Sequence, residues 1–536
     1  MAHMNSLPIR PVRIRLLVIA LSVLSLTVMM LAPVAAVTDE PAGGTGYLLD
    51  EGWEDASYIS EQYVDYYAGS LEAITGSTIK ADALYDDGYD GSGITVALID
   101  SGVVPVDGLD SPGKVVNGLD ISFESQSADL RYLDTFGHGT HLAGIIAGND
   151  GFTGFNGVAP GADILNVKVA GHDGAVDVSQ VIAAIEWVIQ HRNDNGMNVR
   201  VINLAYGTDS IQNWKSDPLA AAVERAWRAG IVVVVAAGND GNGSALRNPA
   251  INPYVIAVGA SDSNYTKSAK DDFVAGFTNC GTAKRHVDVL APGRSIISLR
   301  NPGSVADVEH PEARIGDDLF LGSGTSQAAA VVSGTVALIL DAFPNATPDH
   351  VKAMLMYTST DVVSSSNICG HAGLVDLHYL YNKFEKIESL GSFGTQSHGY
   401  GAGTGSLELA RGSHHVAVDG VVLNDEQDIF GMKWNSELIA KYAANQMAWD
   451  GGDFNGTSWS GTSWSGTSWS GTSWSGTSWS GTSWSGTSWS DYAWSGTSWS
   501  GTSWSGTSWS GTSWSGTSWS GTSWSNDNWL GLSWGF

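Results

Sequence analysis

The sequence predicts an α/β fold, built on a mainly parallel sheet with helices on both faces. Residues 94–99 and 231–235 form continuous apolar runs rich in β-branched residues, which is typical of parallel strands buried on both sides. Helical patterns, for example over residues 141–147 and 328–340, alternate with such runs. Because alternating strand and helix patterns predict βαβ units, we place this domain at about residues 80–386.

Three polar residues at the ends of these elements form a candidate catalytic set. Asp100 follows the strand pattern of residues 94–99, so its carboxylate is expected at the C-terminal edge of the sheet, where open α/β folds place their sites. His138 and Ser326 each begin a helical pattern. A serine hydroxyl needs a base to accept its proton, and the base needs a carboxylate that holds one tautomer. At a helix N-terminus, the dipole and the backbone N–H of Ser326 would also favour an oxyanion.

The local motifs around these residues carry a family resemblance. His138 lies in Gly-His-Gly-Thr-His, Ser326 in Ser-Gly-Thr-Ser, and Asn239 ends an Ala-Ala-Gly-Asn segment between them. With the chain order Asp, His, Ser, these motifs resemble those of the subtilisin-like (subtilase) serine peptidases. The resemblance implies that Ser326 attacks the scissile carbonyl, that His138 transfers the proton and that Asp100 orients His138. Asn239 would stabilise the oxyanion, no cofactor would be required for the chemistry, and Gln327 stands where the family commonly has Met.

The same resemblance implies a peptide-binding cleft beside the catalytic residues. Ala205, Tyr206 and Gly207 correspond to the strand edge that pairs with a substrate backbone as an added β-strand. Ala237 and Gly238 are expected to line the same cleft. The family's usual Ser-Leu-Gly is Ala-Tyr-Gly here, so the substrate preference of relatives does not transfer to this chain.

Each of these motifs alone is more often structural than catalytic, and their combination favours an active secreted endopeptidase that hydrolyses proteins or peptides. The alternative from another class is a catalytically silent protein of the same fold, whose Trp-rich C-terminal repeat does the binding. We expect His141 to be a packed structural histidine. His414 and His415 are expected to be solvated loop residues rather than metal ligands, because no cysteine or glutamate at ligand spacing flanks them.

The net charge limits the classes of binding partner, and the cysteine content bears on the cellular compartment. The net charge of −29 argues against nucleic acid or an anionic membrane as a partner, since both require a basic surface. Cys280 and Cys369 are the two cysteines of the chain, and an exported protein permits them to form a disulfide.

The N-terminal sequence has the pattern of an export signal. Three arginines between positions 10 and 15 precede an apolar run over residues 16–31 and a small-residue cleavage site, which together predict a signal peptide at residues 1–36 and a secreted protein. An uncleaved membrane anchor is the alternative. Residues 37–79 are predicted to be a short prosegment or an N-terminal extension, although the family usually carries a longer prosegment.

The family resemblance also raises the question of structural calcium. Residues 149–156 occupy the place where many relatives bind one ion with loop carbonyls and a side-chain amide. Gly151 stands at the position of that amide, so the sequence leaves open whether this chain binds calcium there.

The C-terminal part divides into three segments. Residues 387–455 are predicted to be a linker or accessory region, and residues 526–536 a short tail. Between them, residues 456–525 consist of fourteen pentads, Gly-Thr-Ser-Trp-Ser with one variant at 491–495. This array fits either a β-solenoid or a flexible Gly/Ser-rich tail. Its tryptophans could contact cell-wall polymer or polysaccharide, and a stalk or self-association segment is the alternative.

Overall fold

The computed structural model describes residues 52–535, except 126, 128, 152–153, 364–368, 384–393, 419–420, 430–431, 451–452, 456, 459–462, 472–473, 517–518, 527–528 and 532–533. The predicted signal peptide, residues 1–36, lies outside the described residues. So do residues 37–51 of the predicted N-terminal extension.

The predicted catalytic domain is built on one large sheet. Its strands are β2 (Thr95–Asp100), β3 (Val115–Asp120), β4 (Asp163–Lys168), β5 (Val199–Leu204), β6 (Val232–Ala236), β7 (Ile256–Asp262), β8 (Phe273–Val274) and β11 (Val289–Pro292). They lie in the order β11-β7-β6-β5-β2-β4-β3, all parallel, and β8 pairs antiparallel with β7. Strands β2 and β6 are fully buried along their length, as continuous apolar runs predict. This order confirms the predicted mainly parallel sheet.

Eleven α-helices lie within the described residues. They are α1 (Leu71–Ala73), α2 (Asp82–Asp86), α3 (His138–Ala147), α4 (Val178–His191), α5 (Pro218–Arg228), α6 (Val305–Glu309), α7 (Thr325–Ala342), α8 (Pro348–Thr358), α9 (Leu377–Lys383), α10 (Leu407–Arg411) and α11 (Ser436–Ala444). Helix α7 lies against β5, β6 and β7 and packs on α3, whereas α4 and α5 pack on each other. Within the described ranges, α7 alone is long and apolar enough to cross a membrane, and it is buried inside the domain.

A second, antiparallel sheet lies beside the N-terminus of α7. It contains β1 (Gly52–Trp53), β12 (Ile296–Leu299), β13 (Arg314–Ile315) and β14 (Leu319–Ser323), in which β12 pairs with one edge of β14 and β1 with the other. A small hairpin joins β9 (Gly281–Thr282) to β10 (Arg285–His286). The N-terminal extension is therefore packed on the catalytic domain, and Leu71 and Ile74 belong to its core.

The accessory region also packs on the catalytic domain. It contributes α10, α11, β15 (Ala417–Val418), β16 (Val421–Val422), β17 (Trp449–Asp450) and β18 (Asp453–Phe454). The Trp449 indole N–H donates to the Ala183 carbonyl of α4 at 2.8 Å, and the Thr208 hydroxyl donates to the Ala410 carbonyl at 2.6 Å. The described part of this region is thus attached to α4 and to the loop after β5.

The pentad array has a parallel backbone register. Its strands are β19 (Thr457–Ser458), β20 (Ser463–Gly471), β21 (Trp474–Gly516), β22 (Trp519–Asn526), β23 (Trp529–Gly531) and β24 (Trp534–Gly535). Trp464 pairs with Trp484, and Trp499 with Trp519, an offset of 20 residues in each case. An offset of 20 residues equals four pentads, which is the register of a coil with four pentads per turn.

Candidate active site

Asp100 and His138 form a buried pair at the edge of the large sheet. Asp100 is the last residue of β2 and His138 the first of α3, and the Asp100 carboxylate lies 2.8 Å from His138 Nδ1. Both side chains are buried. A carboxylate at this nitrogen holds the proton on Nδ1, so that Nε2 is the basic nitrogen of the ring.

Steric constraints explain why glycine occupies both flanking positions of the Gly-His-Gly motif. Gly137 has φ +108°, in the left-handed region that disfavours side chains, directly before the helix begins. A Cβ on Gly139 would lie 2.1 Å from the Gly102 carbonyl oxygen and 3.2 Å from the Asp100 carboxylate. The motif therefore lets α3 approach the end of β2 closely enough for the Asp100 and His138 side chains to meet.

Asp134 and Ser101 support this pair, and the sequence analysis did not identify them. Asp134 accepts hydrogen bonds from the Ser101 hydroxyl at 2.8 Å, from Gly137 N–H at 2.7 Å and from Thr140 N–H at 2.8 Å. A carboxylate that accepts from the first N–H groups of a helix fixes its N-terminus. The sequence signal was an aspartate just before the α3 pattern, which is typical of helix N-termini.

His141 is the packed histidine that the sequence predicts. Its side chain has no exposure, and burial together with the nearby His138 lowers its pKa to about 3. Its ring packs edge-on against Trp53, with centroids 5.2 Å apart. His141 therefore stays neutral and does not compete with His138 for a proton.

Ser326 lies in the first turn of α7, directly after β14. Its side chain is buried, and its hydroxyl makes no hydrogen bond within the described part of the chain. Helices α3 and α7 pack on each other. Helix α3 contacts β12, where the Ser298 hydroxyl donates to the His141 carbonyl at 2.8 Å, and α7 contacts β14, in which Gly322 pairs with Ile296 of β12. This packing puts the His138 helix and the Ser326 helix beside the same small sheet.

Asn239 is oriented by the residue before Ser326. Its side-chain oxygen accepts from the Thr325 N–H at 3.0 Å and from the Thr325 hydroxyl at 2.9 Å. The amide nitrogen is buried and has no partner among the described residues. Because the oxygen is fixed by two donors, the free N–H₂ group can serve an anion that forms beside the N-terminus of α7.

The predicted cleft residues occupy the ends of β5 and β6. Ala205, Tyr206 and Gly207 follow β5, and Ala237 and Gly238 follow β6. The Tyr206 side chain is 1% exposed, and its burial raises its pKa well above the usual value. A substrate contact at this position would therefore involve its backbone, and the substrate-binding roles of these five residues stay predictions.

The expectation that His414 and His415 are solvated is wrong. His414 Nε2 lies 2.9 Å from an Arg247 nitrogen, and His415 Nδ1 lies 2.9 Å from the Leu423 carbonyl oxygen. Their side chains are 13% and 23% exposed, because the accessory region folds against the catalytic domain. This contact is long-range, so the polar composition around the two histidines did not indicate it.

Two further predictions concern a disulfide and a metal. The structure joins Cys280 and Cys369 in a disulfide with a Cα separation of 4.2 Å. In the described part of residues 149–156, where calcium was considered, the Asn156 amide donates to the Gly154 carbonyl at 3.2 Å. No group of three or more His, Cys, Asp or Glu side chains that could hold a metal occurs among the described residues. Structural calcium stays a prediction.

Comparisons with known proteins identify the family of this chain. A model of the subtilase family matches residues 91–403. The chain is 39% identical over 274 residues to the serine protease AprX of Bacillus subtilis (strain 168), a match that covers 49% of this chain and 61% of that protein. It is 34% identical over 291 residues to subtilisin DY of Bacillus licheniformis, covering 54% of this chain and 91% of the relative. A crystal structure of a cold adapted subtilisin-like serine proteinase, 28% identical, covers 53% of this chain and 89% of that one with a TM-score of 0.41. The chain belongs to the subtilase family of serine proteases.

Proposed function

We propose that this chain is a secreted serine endopeptidase that uses Asp100, His138 and Ser326. The observation that carries the proposal is the buried hydrogen bond between Asp100 and His138 Nδ1, together with the Asn239 amide nitrogen next to Ser326, which has no partner among the described residues. The relatives are named as a serine protease and a subtilisin, which supports the same reaction class.

In the first half of the reaction, Ser326 Oγ attacks the carbonyl carbon of the scissile peptide bond while His138 Nε2 accepts its proton. Asp100 stabilises the imidazolium that forms. The carbonyl oxygen becomes an oxyanion, which the Asn239 amide and the Ser326 backbone N–H stabilise. His138 then gives the proton to the leaving amine, the C–N bond breaks, and the acyl group remains on Ser326 as an ester.

In the second half, water replaces the amine. His138 removes a proton from the water as it attacks the ester carbonyl, and the same two donors stabilise the second oxyanion. His138 returns the proton to Ser326 Oγ when the ester bond breaks. The products are a carboxylic acid and an amine, and the enzyme returns to its starting state.

The test compares the purified chain with Ser326→Ala on a protein substrate. Ser333→Ala is the matched control, because Ser333 is also a buried serine of α7 and donates to Asn203 at 2.9 Å. We expect Ser326→Ala to lose at least about 10³-fold in kcat, and Ser333→Ala to keep its activity within a few-fold. Equal activity of Ser326→Ala and the parent would refute the assignment and favour a catalytically silent binding protein.

We also propose that the pentad array binds cell-wall polymer or polysaccharide and retains the secreted enzyme at the cell surface. The parallel register supports this proposal, since it places Trp464 opposite Trp484 and repeats the same pairing along the coil. Regularly spaced aromatic residues suit the flat faces of sugar rings. A sedimentation assay with peptidoglycan tests it, with the full chain compared against a truncation after residue 455. Equal sedimentation of the two would favour a stalk or self-association segment.

A further inference from the structure

One residue of a distant segment, Asn279, holds the backbone on both sides of Asn239. The Asn279 N–H donates to the Gly238 carbonyl at 3.0 Å, and its side-chain oxygen accepts from the Asp240 N–H at 2.6 Å. The Gly238 carbonyl belongs to the peptide group that precedes Asn239, and the Asp240 N–H belongs to the one that follows it. Because each peptide group is planar, these two bonds restrain the backbone dihedral angles of Asn239, and with them the direction of its side chain.

The amide nitrogen of Asn279 serves the same loop. It donates to the Asp240 carboxylate at 2.7 Å and to the Ala245 carbonyl at 2.8 Å. A hydrogen bond from Arg247 lowers the pKa of the Asp240 carboxyl, so this group is ionised near neutral pH and can only accept. The amide nitrogen of Asn279 must then face the carboxylate, which fixes the orientation of the whole amide.

Asn279 is itself held firmly in the domain. It is 1% exposed. The Thr278 hydroxyl before it accepts from the Ala260 N–H of β7 at 3.0 Å and donates to the Ala260 carbonyl at 3.1 Å. Cys280 after it is joined to Cys369 by the disulfide. Asn279 therefore connects the loop of Asn239 to the large sheet on one side and to the disulfide on the other.

Gly238 shows how closely the two segments approach each other. A Cβ on this glycine would lie 2.6 Å from the Asn279 amide nitrogen, and its φ of +113° disfavours other residues. The Gly238 N–H donates to the Thr325 hydroxyl at 3.2 Å, and Thr325 directly precedes Ser326. A continuous set of hydrogen bonds thus leads from Asn279 through this loop to the residue before the proposed nucleophile.

The placement of the Asn239 amide matters because an oxyanion donor acts over a narrow range of distance. Such donors work at about 2.7–3.1 Å from the oxygen, and a misplacement of about 1 Å can cost a factor of about 10² in rate. The two bonds from Thr325 hold the oxygen of the Asn239 amide. The two bonds from Asn279 restrain the backbone that carries this amide.

We infer that Asn279 is a positioning residue for oxyanion stabilisation: it restrains both peptide groups of Asn239, so that the amide N–H₂ group stays where the oxyanion forms. This inference rests on the proposed peptidase function. Asn279 acts through Asn239 and has no contact of its own to make with the substrate. Since the oxyanion exists only after the attack of Ser326, loss of this restraint lowers kcat and leaves KM unchanged.

The first test measures steady-state kinetics of Asn279→Ala on a peptide substrate. Asn252→Ala is the matched control, because Asn252 is also a buried asparagine, which donates to the Ala220 carbonyl at 2.8 Å and accepts from the Tyr254 N–H at 2.9 Å. We expect Asn279→Ala to lower kcat about 10–100-fold with KM within about threefold, and the control to keep both values within about threefold. Titration with a fluorophosphonate, carried to completion, gives the concentration of active protein.

A double-mutant cycle with Asn239→Ala separates positioning from general loss of structure. Without the Asn239 amide there is no donor to position, so Asn279→Ala should lower kcat less than about threefold in that background. A residue that only stabilises the fold would lower kcat by the same factor in both backgrounds. An equal factor in the two backgrounds would therefore overturn the inference.

Asn279→Asp is a second variant that leaves no cavity, in case Asn279→Ala does not fold. It keeps the oxygen that accepts from the Asp240 N–H, and it replaces the amide nitrogen by an oxygen that faces the Asp240 carboxylate. We expect kcat to fall at least about tenfold where Asn239 is present, and less than about threefold in Asn239→Ala.

A peptide aldehyde gives a readout that does not depend on turnover. Ser326 Oγ adds to the aldehyde carbon while His138 accepts the hydroxyl proton, and the carbonyl oxygen becomes an oxyanion with no leaving group to expel. We expect Asn279→Ala to weaken binding of the aldehyde about 10–100-fold, and to weaken binding of the corresponding peptide alcohol less than about threefold. Equal weakening of both would contradict the inference.

The outcomes separate the two proposals. Unchanged kcat in both Asn279 variants, with an active parent and an inactive Ser326→Ala, refutes the role of Asn279 and leaves the peptidase function intact. A raised KM with unchanged kcat would mean that Asn279 affects substrate binding, which also contradicts the inference. Full activity of Ser326→Ala, or no hydrolysis by the parent, removes the proposed function and with it the inference about Asn279.

Discussion

The buried Arg411 gives the most detailed stability prediction. Its side chain and that of Asp177 have no exposure, and Arg411 Nε donates to the Asp177 carboxylate at 2.6 Å. The guanidinium also donates to the Asp425 carbonyl at 2.7 Å and to the Gln427 carbonyl. Asp177 in turn caps the N-terminus of α4, accepting from Ser179 N–H at 2.8 Å. One side chain therefore connects the accessory region to the catalytic domain.

Arg411→Met leaves the Asp177 carboxylate buried without its charge partner. Removal of one member of a buried ion pair costs about 3–5 kcal/mol, and two carbonyls of the accessory region lose their donor as well. We expect a loss of about 3–5 kcal/mol in the free energy of unfolding. Asp177→Asn in the Arg411→Met background removes the stranded charge and keeps a good N-cap residue, so it should restore about 2 kcal/mol.

The assay is urea unfolding followed by far-UV circular dichroism, in a Ser326→Ala background that prevents self-digestion. Arg228→Met is the matched control, because Arg228 is an exposed arginine of α5 that lies over the Tyr400 ring. This control should lose less than about 1 kcal/mol. A loss of less than about 1 kcal/mol for Arg411→Met, or no recovery in the Asp177→Asn double variant, would refute the reasoning.

Three further predictions concern catalysis, pH and the disulfide. Asn239→Ala should lower kcat about 10²–10³-fold and leave KM within a few-fold, as steady-state kinetics would show; an unchanged kcat would exclude Asn239 as an oxyanion donor. Burial and two neighbouring carboxylates raise the pKa of Asp272 to about 7, so the native state becomes less stable as the pH rises from about 4 to about 7. Thermal unfolding should accordingly show that Asp272→Asn raises the free energy of unfolding by about 2 kcal/mol at pH 8, after a reduction for solvent screening, and leaves it unchanged at pH 4. An equal increase at both pH values would contradict the raised pKa of Asp272. Cys280→Ser removes a disulfide with a sequence separation of 89 residues and should lower the free energy of unfolding in denaturant by about 4 kcal/mol. If the variant is also about 4 kcal/mol less stable than the fully reduced parent, the loss comes from packing and not from the disulfide.

The sequence was sufficient to predict features that depend on local pattern. The apolar run before Asp100 predicted a buried parallel strand, and the helical pattern after His138 predicted a helix that begins at that residue. Both elements have those positions in the structure, and as a result the two side chains meet. Local periodicity was enough here because each residue lies at the end of a strongly patterned element.

Contacts between distant segments could not be predicted in the same way. Arg411 and Asp177 are 234 residues apart, and neither lies in a pattern that indicates the other. The pairing of β1 with β14 joins Trp53 to Gly322 through strands of two and five residues, which are too short for a periodic signal. His414 was misjudged for a related reason, since its flanking residues are polar while its contact, Arg247, lies far away in the chain.

The central claim is that Ser326 is an activated nucleophile. The most direct measurement is to react the secreted full chain with a fluorophosphonate probe and to map the modified residue by mass spectrometry, in the parent, in Ser326→Ala and in His138→Ala. The account predicts one modification, on Ser326, which is absent in Ser326→Ala and slowed at least about 10³-fold in His138→Ala. Modification of Ser326 at the same rate in His138→Ala, or no modification of Ser326 in the folded parent, would contradict it.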